Sequence, residues 1–103
     1  MLTSILNIQT PPEVEKQLAT RIKSLRLQAG YKRTTLAQRA GITVASLKRF
    51  ETTGQISLKS LLCLAHALDR LPEFSRLFEV SKATSLAELR GQAQKQPPKR
   101  GRI

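Results

Sequence analysis

Nine lysines and arginines fall between residues 21 and 59 (Arg21, Lys23, Arg26, Lys32, Arg33, Arg39, Lys48, Arg49 and Lys59), and Glu51 is the only acid among them. Cationic side chains at that density, unmatched by carboxylates, favour a polyanionic partner: nucleic acid, an acidic protein face or an anionic membrane. A second basic block begins at Lys82, with six cations against Glu88 alone, and the stretch between the blocks holds Asp69, Glu73 and Glu79. Over all 103 residues, 18 Lys and Arg stand against 7 Asp and Glu, a formal charge of +11. A merely solvated basic surface is the plain alternative.

Other chemistry finds little footing. Cys63 is the only cysteine, so neither an intrachain disulfide nor a multi-cysteine metal site can form. Cys63 and His66 lie three apart on one helical pattern, with Asp69 the nearest carboxylate; core packing for Cys63 and a surface or capping role for His66 account for both. Ser, His and Asp occur without a motif that would frame a nucleophile, and no glycine-rich loop cradles a phosphate. No enzyme, metal or cofactor is therefore expected. No apolar run approaches the roughly 18–20 residues that span a bilayer, and the opening MLTSILNIQTPPE lacks the basic and apolar regions of a signal peptide. A cytoplasmic location, in bacteria at the nucleoid, is the expectation.

The elements that must position these cations read as helices. Hydrophobic residues make up 40% of the chain and aromatics only 4%, so aliphatic side chains must fill one modest core. Residues 1–9 form an N-terminal arm whose Leu2, Ile5, Leu6 and Ile8 suit an extended segment or a strand on a partner. Thr10-Pro11-Pro12-Glu13 signals a helix start, with Thr10 as cap, Pro11 in the first turn and Glu13 placed for a capping box. Val14, Leu18, Ile22 and Leu25 continue at helical spacing until Gly30. A short second helix covers about 34–39, with Leu36, Ala37 and Ala40 apolar, and Gly41 breaks it. Thr43 caps a third helix over about 44–52, which turns Leu47 and Phe50 inward and ends at Gly54. A fourth runs from near Ser57 to Leu68, carrying Leu58, Leu61, Leu62, Leu64, Ala65 and Leu68, and a fifth covers about 72–78. Residues 81–91 read as a short helical extension, with a turn or two of helix at 85–89, and residues 92–103 read as a disordered basic tail.

The pair of short helices around Gly41 carries the argument. A tight glycine turn lets two helices meet at a large angle, so that the second can enter a major groove about 12 Å wide. That second helix buries Leu47 and Phe50 and offers Val44, Ala45, Lys48 and Arg49 outward, with free backbone N–H groups at its start. Arg33, Lys48 and Arg49 are the prime phosphate or base contacts, joined by Thr43, Ser46, Arg39 and Lys59.

The stretch LRLQAGYKRTTLAQRAGITVASLKRFETTGQISLKSLLCLAHAL, residues 25–68, resembles the XRE/lambda-repressor-like helix-turn-helix family. The resemblance rests on a combination: Leu25-Arg26, Gly30, Leu36-Ala37, Gly41-Ile42-Thr43, Leu47, Glu51, Gly54 and the leucine-rich fourth helix. It implies an all-α, five-helix domain over residues 10–80 that binds duplex DNA and regulates transcription. It also implies an ion pair in which Arg26 of the first helix meets Glu51 of the third and fixes the recognition helix. The family usually opens its second helix with Thr or Ser and then Gln; here Lys32 and Arg33 stand there, so the polar cap is lost or moves to Thr34 or Thr35. The recognition helix begins with Val44 and Ala45, which can touch thymine methyls but cannot hydrogen-bond base edges, so reading falls to Arg49, Lys48 and Ser46.

Such domains commonly act as dimers on half-sites about 34 Å apart. Phe74, Leu77, Phe78 and Val80 are the expected dimer surface, unless they simply close the monomer core; the N-terminal arm from Leu2 to Ile8 is the other candidate. A narrower resemblance joins residues 47–78, LKRFETTGQISLKSLLCLAHALDRLPEFSRLF, with the later SLAELR and the basic tail. This pattern is similar to HipB-like antitoxins, which bind their own operator and hold a HipA-like kinase toxin. It implies an operon autorepressor with such a kinase as partner. A helical protein-interaction module or a non-specific nucleic-acid binder is the alternative.

Overall fold

The computed structural model describes residues 9–80, which form five helices and no strand among the described residues. They are α1 (Pro11–Gln28), α2 (Arg33–Ala40), α3 (Val44–Thr53), α4 (Leu58–Ala67) and α5 (Leu71–Ser75). The expected arm (apart from Gln9), the 81–91 extension and the basic tail lie outside the described residues.

Local chemistry sets most helix ends. Thr10, Thr43 and Ser57 cap α1, α3 and α4, their side-chain oxygens accepting from the backbone N–H groups of Glu13, Ser46 and Ser60. In place of the expected capping box, the Glu13 carboxylate accepts from the Thr10 hydroxyl. The polar cap of α2 is lost rather than moved: Lys32 precedes the helix with no side-chain hydrogen bond. Gly41 ends α2 in the left-handed region, at φ +74°, where the N–H of Ile42 reaches Ala37 O and that of Gly41 reaches Gln38 O. Three residues, Gly41 to Thr43, then separate α2 from α3.

Gly54 serves two ends at once. Its φ of +82° closes α3, and it lies buried against α1, where an added Cβ would come within 3.0 Å of the Glu15 carbonyl carbon. Only glycine meets both demands.

The core is aliphatic, with one aromatic at its centre. Ala19 and Ile22 of α1, Leu36 and Ala37 of α2, Leu47 and Phe50 of α3, and Leu61 and Leu64 of α4 form one buried cluster. Fully burying a side chain such as Phe50, Leu36, Leu47 or Leu64 stabilises the fold by roughly 1.5–3 kcal/mol. Helix α1 packs on α3, α2 on both α3 and α4, and α5 on α4.

The structure adds what helical spacing does not carry, and it shortens the fifth helix. Val14 is 36% exposed and Leu58 68% exposed, both in the first turns of their helices. Helix α5 stops at Ser75 rather than near residue 78, since Phe78 adopts a left-handed φ of +62° that no helix continues. Phe74 packs on the core, whereas Leu77, Phe78 and Val80 are exposed, Phe78 completely.

Candidate nucleic-acid interface

The outward side of α3 follows from its inward side. Leu47 and Phe50 are buried three residues apart, and Glu51 joins them one helical turn beyond Leu47. The positions rotated away carry Val44, Ala45, Lys48 and Arg49, all exposed, with Ser46 half-buried at the edge. Thr43 and Ser57, the caps of α3 and α4, line a shallow groove together with Ala45, Ser46, Arg49, Gln55 and Ile56. The cations on this side, Lys48 and Arg49, therefore face solvent. Lys59 is exposed at the start of α4.

Glu51 is the electrostatic anchor of the arrangement. Its side chain is 1% exposed, and that of Arg26 is 7% exposed. Arg26 donates from Nε to Glu51 Oε2 at 2.8 Å and from Nη2 to Oε1 at 3.1 Å, while its Nη1 donates to the Tyr31 carbonyl at 3.0 Å. One guanidinium thus ties α1 both to α3 and to the loop that precedes α2. Arg33, at the start of α2, donates its Nε to Glu51 Oε1 at 2.9 Å with a side chain 38% exposed. Burial alone pushes the Glu51 carboxyl up, but the hydrogen bonds and charges of Arg26 and Arg33 outweigh it and hold the group below its ordinary value. Among the described residues, no buried side-chain nitrogen or oxygen lacks a partner.

The cations expected to meet phosphate therefore divide. Arg33 spends its Nε on Glu51 and keeps its two terminal nitrogens outside that pair. Arg39 lies over the Tyr31 ring, 4.8 Å from its centroid, in a cation–π contact at the surface. Lys48, Arg49 and Lys59 take part in no ion pair among the described residues. Arg49 instead donates from Nη2 to the amide oxygen of Gln55 at 2.7 Å. Gln55 and the Arg33–Glu51 bridge both escape a reading of the sequence. The only hint of the first is a polar residue placed directly after a helix-ending glycine; nothing local hints at the second.

His66 is exposed and Cys63 half-buried, and no group of metal-ligating side chains gathers among the described residues. No helix among the described residues is long and apolar enough to cross a membrane. Neither a curated protein nor a solved structure matches the chain. The model of a family described as Helix-turn-helix matches residues 22–75, just over half of the chain. That segment runs from the buried Ile22 of α1 to the end of α5 and contains the whole α2–turn–α3 unit, in a family of DNA-binding regulatory domains rather than of enzymes. The chain belongs to the XRE/lambda-repressor-like helix-turn-helix family of DNA-binding transcription regulators.

Proposed function

We propose that this chain is a repressor that binds its operator as a homodimer, with α3 in the major groove of each half-site. The observation that carries the reading is the outward face of α3, where Lys48 and Arg49 are exposed beside Val44 and Ala45 and enter no ion pair among the described residues. In this arrangement Arg49, Lys48 and Ser46 supply polar contacts to bases, and Val44 and Ala45 meet thymine methyls. Thr43, Arg33, Arg39 and Lys59 hold the flanking phosphates. The two protomers meet through Leu77, Phe78 and Val80, which together expose apolar surface just beyond α5; Phe74 backs that surface from the core side.

The same reading takes the chain as a HipB-like antitoxin, the autorepressor of an operon that also encodes a HipA-like kinase toxin. Its support is the run from Leu47 to Phe78 together with the SLAELR segment and basic tail. Co-purification of a kinase subunit with the tagged chain is the expected outcome; repression without any such partner would make it an ordinary regulator.

Footprinting on the DNA upstream of the chain's own gene tests the central claim. Protection of two half-sites one helical turn apart is expected, lost in Arg49→Ala with the fold intact. If a truncation at Gln92 abolishes binding while Arg49→Ala leaves it unchanged, the chain is instead a non-specific nucleic-acid binder that acts through its tail. For a dimer neutralising about 6–10 phosphates, log affinity falls with log salt at about −0.9 per contact, and a salt-insensitive interaction removes the reading.

A further inference from the structure

Arginines 26, 33 and 49 lie on or beside the helix-turn-helix unit, and their partners differ in kind. Arg26 and Arg33 share the carboxylate of Glu51, which offsets their charge. The partner of Arg49 is the neutral amide of Gln55, so the guanidinium keeps its full charge while losing freedom of orientation. A closed ring of hydrogen bonds produces this pairing. The Thr53 hydroxyl donates to the Arg49 carbonyl at 2.7 Å, the Gln55 backbone N–H donates to Thr53 Oγ1 at 3.1 Å, and Arg49 Nη2 donates to Gln55 Oε1 at 2.7 Å. Gly54 makes the ring possible, because its left-handed turn brings Gln55 back toward α3, and the wall of α1 at Glu15 holds that turn in place.

We infer that Gln55 is a positioning residue for DNA reading, and that the Arg49–Gln55 pair recognises a guanine. The inference rests on the DNA-binding face proposed above. A guanidinium carries five N–H donors in a planar fork. With one Nη2–H given to Gln55, either the edge shared by Nη1 and Nη2 or the edge shared by Nε and Nη2 remains free for two parallel hydrogen bonds. The guanine O6 and N7 acceptors fit such an edge in the major groove. An arginine is a floppy side chain whose rotamer freedom opposes ordered contact. Gln55 removes part of that cost before DNA arrives and fixes the plane of the fork, so a planar pair of acceptors gains over a phosphate approached from any side. With Val44 and Ala45 limited to apolar contact, this pair supplies the main hydrogen-bonded discrimination on α3.

The test uses the full chain and duplexes that it enriches from a randomised pool. Affinities are measured for the wild type, Gln55→Ala, Arg49→Ala and the double variant, on the enriched duplex and on versions with each guanine replaced in turn by 7-deazaguanine. One guanine should lose about 5- to 150-fold in the wild type when its whole base pair is exchanged, with a clear loss from deaza substitution alone. Arg49→Ala should be indifferent to that guanine. Gln55→Ala should lower discrimination there by about 3- to 10-fold, the worth of one hydrogen bond of ordinary net strength, and should change nothing in the Arg49→Ala background. Gln55→Glu, which offsets the Arg49 charge, should weaken binding to every duplex. Melting midpoints separate these effects from misfolding, and both side chains are exposed. Equal loss on every sequence, or a Gln55→Ala effect that persists without Arg49, overturns the inference and leaves the DNA-binding face standing. A wild-type chain that enriches no sequence overturns both.

Discussion

Glu51→Gln isolates the electrostatic anchor of the domain. The substitution keeps the volume and one carbonyl acceptor but removes the charge and turns one acceptor into a donor. That donor then faces the donors of Arg26 or Arg33, which hold both carboxylate oxygens. The two arms contribute unequally. Arg26 is almost wholly buried, so losing its anion leaves an uncompensated charge in the interior, at about 3–5 kcal/mol. The Arg33 side chain is 38% exposed and water screens it, so its share is no more than about 1 kcal/mol. A domain of this size has roughly 5–15 kcal/mol in all, so the variant sits near the threshold of folding. At about 4–8 °C per kcal/mol, its melting midpoint should fall by more than 10 °C. Thermal and denaturant melts followed by circular dichroism read this directly, beside Arg26→Ala and Arg33→Ala. The reasoning fails if Glu51→Gln melts within a few degrees of the wild type, or if Arg33→Ala costs as much as Arg26→Ala.

Acid should erode the same anchor. The folded Glu51 carboxyl titrates below its ordinary 4.5, so its stabilisation is complete above that value and drains away as pH falls through the folded one. Denaturant midpoints of the wild type and Glu51→Gln should therefore converge as the pH falls below the ordinary 4.5. Arg33→Ala should leave the fold within about 1 kcal/mol of the wild type and reduce the slope of log affinity against log salt by about one, as read by titration of a duplex at several salt concentrations. Gly41→Ala meets open space and bears only the left-handed backbone penalty of about 1–2 kcal/mol. Gly54→Ala bears the same penalty and also drives a Cβ into the backbone of Glu15, adding about 1–3 kcal/mol; urea melts that rank the two equal would show that α1 yields freely.

Much of this architecture could be read from short-range chemistry. Thr10-Pro11, Thr43 and Ser57 announce three helix starts because a cap is a contact within three residues, and Gly41 and Gly54 announce two ends because only their backbones tolerate the required φ. The periodic Leu47 and Phe50 fix which side of α3 faces in. Periodicity leaves the exposure of Val14 and Leu58 open, since it says which face an apolar residue shares but not whether a neighbour reaches that far along the helix. It also overextends α5, where the backbone at Phe78 departs from the helix without any glycine or proline to mark it. The Arg26–Glu51 pair was accessible through family resemblance. The sequence offers Arg33 only as a DNA contact, since its bond to Glu51 joins residues 18 apart that meet only when α2 packs on α3. Gln55 was invisible for a similar reason: its contact to Arg49 depends on the direction in which the chain leaves Gly54.

The placement of one carboxylate explains how so basic a segment holds together and still faces a polyanion. Between residues 21 and 59, Glu51 is the sole acid, and the fold spends it inside. Had that acid stood on the outer face of α3, it would have offset Lys48 and Arg49, where attraction to DNA has to arise. Placed on the inner face, one turn beyond Leu47, it serves Arg26 and Arg33 together and locks α1, α2 and α3 by a single group. The outer face of α3 is then free to carry charge fixed by a neutral contact, the Gln55 amide for Arg49, and on α2 an aromatic ring does the same for Arg39. Orientation is thereby obtained without neutralisation. This separation of roles requires that mutations at Glu51 act mainly on folding and mutations at Gln55 mainly on recognition, although the two residues lie only four apart in the chain.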